Sequence, residues 1–370
     1  MATSLEARET CIAYQHCTLN GQYCHKENVQ QLHISTVKTQ GENSFDAEVT
    51  AFLCEWFSSS PTVEVQTSGS TGTPKKYAVE KEKMIQSAIM TLDFLNLQVG
   101  DTALLCMPVR YIAGKMMLVR ALVGGLSIST TVPSARPLQH IDTSPCFLAI
   151  TPMQLYETLQ YSTDRAKLQT VRQTIVGGGA ISAEIEQEIV NFPHPIWSTY
   201  GMTETLSHIA MRALNGRMHS DYYQPLKGIC LQTSTAGTLT ITAPHLCAER
   251  LITNDLVCFD KQGRFKVIGR IDNTINTGGI KVQIEEIEAR LNAYPVPLLI
   301  SAVPHKKLGE AIVLLIEGEE TTALHILLQT LPRYWQPKYI FSVPALPFTP
   351  TGKPDRKAAR KIAETLYKHR

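Results

Sequence analysis

Nine consecutive residues combine hydroxyls, glycines and a lysine in one short loop. The stretch reads TSGSTGTPK, and its members are Thr67, Ser68, Gly69, Ser70, Thr71, Gly72, Thr73, Pro74 and Lys75. Glycine lets backbone N–H groups approach an anion closely, hydroxyls donate further hydrogen bonds, and lysine adds a positive charge. The loop is therefore predicted to bind phosphate groups.

The spacing in this loop does not fit a P-loop kinase or GTPase. A Walker A loop has a glycine directly before its lysine and Ser or Thr directly after it, whereas here Pro74 precedes Lys75 and Lys76 follows it. A flexible Gly/Ser linker is the alternative. Residues 62–66 and 76–80 each predict a β-strand, and such ordered flanks favour the anion site.

The elements around the loop predict an α/β protein of two domains. Strand-like and helical patterns alternate from residue 62 to residue 199, including an amphipathic helix over residues 81–96. Short apolar runs predict buried strands at residues 102–107, 126–132, 146–151, 173–177 and 195–199. From about residue 272 a smaller α/β pattern begins, so we expect domains over residues 1–271 and 272–370.

Composition limits the classes of partner and compartment. The chain has 370 residues, 44% of them hydrophobic, which is enough for a large core. Its net charge of +2 gives no argument for nucleic acid or an anionic membrane as partner. The nine cysteines form no C-x-x-C pair, and no signal peptide or membrane span is recognised. Free thiols and a cytoplasmic location are expected.

Four further motifs follow the loop in order. They are YGMTE at residues 200–204, ND at 254–255, GRID at 269–272 with INTGG at 275–279, and PFTPTGKPDR at 347–356. Together with the loop they resemble the adenylate-forming superfamily, which includes acyl-CoA synthetases, firefly-type luciferases and adenylation domains of peptide synthetases. The resemblance implies a large adenylation domain of mixed sheets and helices, shortened at its N-terminal part, followed by a small mobile α+β domain.

The resemblance implies that the YGMTE motif binds ATP and its metal. Tyr200 would lie near the adenine, and Gly201 and Met202 would be further ATP-binding residues. Thr203 would bind the α-phosphate and Glu204 would bind Mg²⁺. The TSGSTGTPK loop would hold the β- and γ-phosphates.

Two other segments are implied to complete the nucleotide site. Gly178, Gly179 and Ala180, behind a predicted strand, would form a floor beneath the acyl group and the adenine. Asp255 would accept hydrogen bonds from the ribose hydroxyls, since a carboxylate can accept both, and Arg270 would reach the ribose. The superfamily usually has glycine at position 254, where this chain has Asn254, a residue that tolerates a left-handed backbone.

The small domain is implied to take part in both halves of a two-step reaction. Lys353 would neutralise charge while a carboxylate attacks the α-phosphorus of ATP, and Lys75 would assist the leaving pyrophosphate. Asp272 would be the hinge about which the small domain rotates. Gly278 and Gly279 would then line the passage for coenzyme A.

The acid is implied by a narrower resemblance. The phrases YGMTETLSHIAMR, TNDLV and GRIDNTINTGGIKV are most similar to the o-succinylbenzoate:CoA ligase family of menaquinone biosynthesis. Tyr111, Gly114, Ser207 and His208 are candidate acyl-substrate residues. The candidate donors to the second carboxylate of such an acid are basic and polar side chains: Arg110, Lys115, Arg120, Ser207, His208 and Arg212.

Other interpretations stay open at this stage. The chain could be a CoA ligase for a fatty, benzoic or phenylacetic acid, or a stand-alone module that loads a carrier protein. A non-catalytic nucleotide-binding regulator is the alternative outside enzymes. In each enzymatic case the expected ligands are a small carboxylic acid, Mg·ATP and coenzyme A or a phosphopantetheinyl acceptor, and the expected assembly is a monomer or homodimer.

Overall fold

The computed structural model describes residues 12, 15–66, 76–247, 249–292, 294–349 and 354–369. The chain divides into two compact units, one of Met1–Cys230 with Thr242–Arg250 and the other of Leu231–Ile241 with Leu251–Arg370. The TSGSTGTPK loop and Lys353 lie outside the described residues. Each unit is treated by itself below.

A nine-stranded sheet and a separate hairpin form the framework of the first unit. Its strands are β1 (His16–Leu19), β2 (Gln22–His25), β3 (Thr62–Gln66), β4 (Lys76–Glu80), β5 (Thr102–Leu105), β6 (Ser127–Thr130), β7 (Phe147–Ile150), β8 (Gln173–Val176), β9 (Ile196–Gly201), β10 (His208–Ala213) and β11 (Gln224–Pro225). The sheet order is β11-β10-β9-β8-β7-β5-β6-β1-β2, and β3 and β4 form a separate two-stranded sheet. Strands β6, β5, β7, β8 and β9 run parallel to their neighbours in that order, as expected for an α/β domain.

In the described part of this unit, seven α-helices accompany these strands. They are α1 (Val29–Gln40), α2 (Phe45–Phe57), α3 (Lys81–Leu95), α4 (Ile112–Gly124), α5 (Pro152–Gln160), α6 (Ser162–Thr170) and α7 (Ala183–Ile189). Helix α5 begins as its sequence predicts, because Thr151 caps the first turn, Gln154 returns a bond to the cap and Pro152 occupies the first position. Helix α4 is buried along most of its length and packs against α3.

Two smaller sheets form the second unit. The four-stranded sheet contains, in order, β12 (Cys230–Thr233), β13 (Thr238–Thr242), β14 (Leu251–Phe259) and β15 (Phe265–Arg270). The five-stranded sheet is built from β16 (Thr274–Thr277), β17 (Ile280–Gln283), β18 (Leu298–His305), β19 (Gly309–Glu317) and β20 (Tyr339–Val343). Its helices are α8 (Ile284–Leu291), α9 (Thr322–Gln329) and α10 (Arg356–Lys368).

Alternation along β19 explains how the five-stranded sheet is covered on both faces. Ile312 and Leu314 belong to one apolar cluster, which contains residues of α8 and α9. Val313 and Leu315 belong to another, which contains residues of α10. Because successive strand side chains point to opposite faces, one apolar strand supplies both layers of core.

The predicted fold class is confirmed, and the predicted strands of the first unit are found with ends shifted by a few residues. Strands β1 and β2 and helices α1 and α2 were not predicted. The predicted domain boundary at residue 272 stays a prediction. The two compact units are defined by contacts within the folded chain, whereas the predicted boundary is the point about which the small domain would rotate. Among the described residues, no helix is long and apolar enough to cross a membrane.

Candidate active site

The carboxyl ends of β8 and β9 bring two predicted site segments to the same edge of the nine-stranded sheet. Val176 and Ser198 are partners in this parallel pair. The glycine segment follows β8 directly, and Tyr200 and Gly201 end β9. In open α/β sheets this edge is where ligands bind, so the topology places both segments where a nucleotide site is expected.

The glycines after β8 permit close packing against β9. A Cβ atom on Gly177 would lie 2.5 Å from Thr199 Oγ1, and Gly178 has a φ of +91°, a conformation that side chains disfavour. Thr199 Oγ1 also donates a hydrogen bond to the Val176 carbonyl (3.2 Å). Gly179 and Ala180 are exposed beyond this fixed point, and their role beneath the adenine stays a prediction.

The YGMTE motif ends in a tight 3-10 turn over Thr203–Thr205. Buried Thr205 closes the turn, since its Oγ1 accepts from the Met202 N–H (3.0 Å) and lies 2.9 Å from the Ser207 carbonyl, to which it can donate. Thr203 and Glu204 are exposed. Thr205 was missed as a site residue, although a third hydroxyl-bearing residue so close to the motif is a signal for such a turn.

Both described flanks of the TSGSTGTPK loop lie beside other predicted site residues. Gln66, the last residue of β3, forms a parallel bridge with Tyr111. Tyr77, in β4, has its pKa raised by burial and also by the negative charge of Glu204. The two ends of the loop therefore lie close to the candidate acyl site and to the candidate metal ligand.

Gly114 has a packing role at the start of α4. A Cβ atom there would lie 2.4 Å from the Pro108 carbonyl oxygen, so any larger residue would displace the helix from the segment after β5. Tyr111 immediately precedes α4, and the Arg110 guanidinium lies 5.1 Å from the centre of its ring. Contact of Tyr111 or Gly114 with an acyl group stays a prediction.

Arg120, on α4, is a buried cation without an acidic partner among the described residues. It is 2% exposed, and burial lowers the pKa of its guanidinium to about 9. Its Nη2 donates to Ser207 Oγ (2.8 Å), while Nη1 lies 3.9 Å from Met117 Sδ. Its Nε has no hydrogen-bond partner in the part of the chain that the structure describes. A buried charge of this kind is costly unless an anion joins it.

His208 extends this polar cluster to α3. It is 6% exposed, its Nε2 lies 3.0 Å from Thr91 Oγ1, and its Nδ1 lies 3.4 Å from Ser207 Oγ. Burial first, and the charge of Arg120 second, lower the pKa of His208 well below its usual value, so the imidazole is neutral at pH 7. We call Thr91, Arg120, Ser207 and His208 the Arg120 cluster.

The Arg120 cluster packs directly against the end of β9. In the β9–β10 pair, Gly201 is the partner of His208. A Cβ atom on Gly201 would lie 2.4 Å from the Ser207 carbonyl oxygen and 2.6 Å from the His208 Cα. The cluster is therefore adjacent to the nucleotide motif, and this contact explains why the motif has glycine at this position.

Two of the other candidate donors already have acidic partners. Lys115 Nζ lies 3.7 Å from a carboxylate oxygen of Glu55, and Arg212 pairs with Glu186 at 2.5 Å. These pairs neutralise Lys115 and Arg212, which the sequence alone could not distinguish from Arg120 as candidate donors. The structure thus singles out Arg120 as the buried candidate without a described counter-ion.

In the second unit, three predicted residues form one ion-pair group. Arg270 donates from Nε and Nη2 to the two carboxylate oxygens of Asp272 (2.9 and 3.0 Å) and from Nη1 to Asp255 (3.2 Å). The pairing of β14 with β15 explains the group, because Asp255 and Arg270 are partners in the register. Hydrogen bonding from Arg270 is the main reason that the pKa of Asp272 is lowered.

Local geometry accounts for the two glycines assigned to the coenzyme A passage. Thr277 and Ile280 are partners in the β16–β17 hairpin, so Gly278 and Gly279 form its two-residue turn. Their φ angles are +62° and +84°, as a type I′ turn requires at both central positions. The hairpin needs these glycines with or without a ligand, and their contact with coenzyme A stays a prediction.

The segment that contains Lys353 is anchored where the structure describes it. Phe348 and Pro354 form an antiparallel bridge across its base. Arg356 then donates two hydrogen bonds of 2.6 Å to the carboxylate of Glu288 on α8. The bridge joins the two described ends of the segment to each other, and the Arg356–Glu288 pair fixes the C-terminal end to α8.

Comparison with known proteins agrees with this arrangement. The AMP-binding enzyme family matches residues 48–234. A solved structure of an acyl-CoA synthetase (AMP-forming)/AMP-acid ligase II-like protein from Dyadobacter fermentans is 34% identical, with a TM-score of 0.62, over 88% of this chain and 96% of that one. The chain belongs to the AMP-binding enzyme family, and its resemblance to adenylate-forming enzymes is confirmed.

More distant relatives carry substrate names. The 2-succinylbenzoate–CoA ligase of Arabidopsis thaliana is 25% identical over 83% of this chain and 68% of the relative. The structure of o-succinylbenzoate coenzyme A synthetase from Bacillus subtilis, in complex with ATP and magnesium ion, shares the fold at 20% identity and a TM-score of 0.66, over 80% of this chain and 68% of that one. This chain thus spans about two thirds of the length of either ligase.

Proposed function

We propose that this enzyme is an AMP-forming acid:CoA ligase that converts o-succinylbenzoate to its coenzyme A thioester, a step of menaquinone biosynthesis. Family membership supports the adenylate-forming chemistry. The names of the Arabidopsis and Bacillus relatives support the choice of acid. The cytoplasmic location predicted from the sequence is part of this proposal.

The unpaired charge of Arg120 is the observation that carries the choice of acid. o-Succinylbenzoate has two carboxylates, of which only the succinyl one is activated. The ring carboxylate must then be bound without reacting, and a buried guanidinium is suited to that task because it forms strong charge-assisted hydrogen bonds. Arg120 lies beside the YGMTE motif and has no acidic partner among the described residues, so a substrate anion would complete its pairing. A monocarboxylic fatty or benzoic acid would leave the charge buried and unpaired.

Glu204 fits the role of the magnesium ligand. It is exposed at the sheet edge, and its negative charge helps to raise the pKa of Tyr77, which lies beside the phosphate loop. Carboxylate oxygen is a ligand that Mg²⁺ prefers. One protein carboxylate suffices where the nucleotide phosphates supply the other oxygens. Bound Mg²⁺ would supply positive charge to the phosphates.

In the first half-reaction, the succinyl carboxylate attacks the α-phosphorus of ATP. An oxygen–phosphorus bond forms, the bond to the β-phosphate breaks, and pyrophosphate leaves. The enzyme would act by position and charge: Thr203 on the α-phosphate, the TSGSTGTPK loop and Lys75 on the leaving group, and Lys353 on the charge of the transition state. No protein nucleophile is required.

In the second half-reaction, the coenzyme A thiolate attacks the acyl carbon of the adenylate, a carbon–sulfur bond forms, and AMP leaves. We propose that the second domain rotates about Asp272 between the two steps, which would withdraw Lys353 and bring Gly278 and Gly279 to the acyl group. The ion pairs of Arg270 with Asp255 and Asp272 support a hinge at this point, since the ribose and hinge residues share one cation.

Acid-dependent release of pyrophosphate tests the proposal. The purified protein is incubated with Mg·ATP and each of a panel of acids, with and without coenzyme A, and thioesters are identified by mass. We expect o-succinylbenzoate to support release without coenzyme A and a thioester with it. The matched control is 3-benzoylpropanoate, which has the same chain to be activated but lacks the ring carboxylate. Equal or better turnover with the control, or with fatty or benzoic acids, would contradict the choice of acid.

A further inference from the structure

The hydroxyl of Thr91 links the Arg120 cluster to the backbone of α3. Thr91 Oγ1 lies 3.1 Å from the carbonyl oxygen of Ser87, one helical turn earlier, and 3.0 Å from His208 Nε2. Both Thr91 and Ser87 are fully buried. Thr91 is closed off from water, so its hydroxyl proton must go to Ser87 or to His208. Ser207, at the other end of the cluster, is only partly buried.

Counting protons along this chain of contacts selects one arrangement. A carbonyl oxygen can only accept, and a hydroxyl has one proton. If Thr91 donates to Ser87, then His208 Nε2 must carry a proton and donate it to Thr91. His208 Nδ1 is then an acceptor and takes the proton of Ser207, while Ser207 accepts from Arg120 (2.8 Å). This arrangement makes all four contacts.

The opposite tautomer makes one contact fewer. With the proton on Nδ1, Thr91 must donate to His208 and gives up its bond to Ser87. Ser207 then accepts from both Arg120 and His208, and its own proton has no partner within the cluster. The first arrangement is preferred because it makes one hydrogen bond more, the bond between the buried residues Thr91 and Ser87.

We propose that Thr91 is a positioning residue for acid recognition: it fixes His208 as the Nε2–H tautomer, which holds the Ser207 hydroxyl and through it the guanidinium of Arg120. Since the Ser207 proton is donated to His208, Ser207 offers no donor to the substrate. Within the Arg120 cluster, recognition of the second carboxylate then depends on Arg120. The part of this inference that concerns acid binding rests on the proposed function, whereas the tautomer does not.

The tautomer is tested by nitrogen-15 NMR of the imidazole rings in the ligand-free enzyme. The His208 signals are assigned by their loss in a His208→Gln variant, which is needed because the chain has 11 histidines. We expect a protonated Nε2 and an unprotonated Nδ1 at pH 7. A protonated Nδ1 in the wild type would overturn the proposal.

Three substitutions on α3 separate the hydroxyl from the packing. Thr91→Val keeps the shape and removes the hydroxyl, and we expect it to shift His208 toward the Nδ1–H form. Thr91→Ser keeps the hydroxyl and should retain the wild-type tautomer. Ser87→Ala is the matched control, because the Ser87 hydroxyl is buried with no partner among the described residues and its carbonyl is unaffected. An unchanged tautomer in Thr91→Val would overturn the proposal.

Steady-state kinetics test the link to acid recognition. For Thr91→Val we expect the KM for o-succinylbenzoate to rise by a factor of about 5–30, the change expected for one buried hydrogen bond, with the KM for ATP unchanged. Thr91→Ser should restore the wild-type KM. An unchanged KM for the acid, or equal losses for acid and ATP, would contradict the positioning role. If the wild type activates no o-succinylbenzoate, the proposed function fails, and the NMR experiment still decides the tautomer.

Discussion

Two arginines in different units of the molecule are built in opposite ways. Arg120 is buried and has a neutral serine hydroxyl as its oxygen partner, with no acid among the described residues. Arg270 is about half exposed and is bound by two carboxylates, those of Asp255 and Asp272. The first cation has no counter-ion among the described residues, whereas the second is neutralised within the protein.

This difference indicates two kinds of recognition. A buried, unpaired guanidinium is suited to an anion that enters and stays in one place, such as the second carboxylate of the acid. An exposed guanidinium shared between two acids is suited to exchange, because either partner can be released to water at little cost. The first unit would therefore select the acid, and the second would supply groups that change partners during the reaction.

The largest effect is expected at Lys353. It tests whether the second unit supplies a positive charge that acts in one half-reaction and not in the other. Lys353→Ala should lower the rate of acyl-AMP formation by a factor of about 10²–10³, as for loss of one charge-stabilising group in a transition state. Thioester formation from supplied acyl-AMP should remain close to wild type. Rapid-quench assays measure the two steps separately, and equal losses in both would break the division between the units.

A stability measurement tests the claim that Arg120 has no acidic partner in the ligand-free enzyme. Arg120→Met should raise the free energy of unfolding of the ligand-free enzyme by about 1–4 kcal/mol, because an apolar side chain of similar length replaces a buried charge. Lys115→Met, on the same helix, should be destabilising instead, since it leaves Glu55 without its cation. Urea unfolding compares the two variants, and a destabilised Arg120→Met would indicate an acid partner outside the described residues.

Replacement of Arg270 is expected to affect ATP binding and to leave stability and acid binding nearly unchanged, the opposite of replacement of Arg120. Arg270→Met should raise the KM for ATP by about tenfold, equivalent to ~1.4 kcal/mol, and leave the KM for the acid unchanged. Its free energy of unfolding should change by no more than about 1 kcal/mol, as for other exposed ion pairs. A change in the KM for the acid without a change in the KM for ATP would contradict the division of roles between Arg120 and Arg270.

The smallest effect concerns the pH dependence of Asp272. Arg270 lowers the pKa of this carboxyl in the folded state, so its contribution to stability is present above the unfolded pKa of about 3.9 and is lost as pH falls through the folded pKa. Asp272→Asn should therefore be less stable than wild type near pH 7 by no more than about 1 kcal/mol, with the gap closing below pH 4. Urea unfolding at several pH values measures the gap, and a gap that widens in acid would contradict the ion pair.

Much of the sheet and its motifs could be predicted because they depend on local pattern. The strands on either side of the phosphate loop have the predicted bounds, and Thr151 and Pro152 begin a helix as expected. The hairpin before residue 62 was missed, although Asn20 and Gly21 between two short alternating runs are a hairpin signal.

The candidate site could be predicted only where a motif carries it. The sequence presents Lys115, Arg120 and Arg212 as equivalent cations. They differ because Glu55 and Glu186, which are distant in sequence from Lys115 and Arg212, fold against them. Thr91 was missed for the same reason, since its partner His208 lies 117 residues away. Pairing across such separations is decided by packing, which no local pattern encodes.

Discrimination between two acids by Arg120 tests the central claim most directly. Pyrophosphate release is measured for wild type and Arg120→Met with o-succinylbenzoate and with 3-benzoylpropanoate, at saturating Mg·ATP. The account predicts that wild type prefers the dicarboxylate by a factor of about 10–150 in kcat/KM, the range for a hydrogen bond to a charged group, and that Arg120→Met loses this preference while it retains turnover of 3-benzoylpropanoate. A preference that survives in Arg120→Met, or equal losses for both acids, would contradict the account.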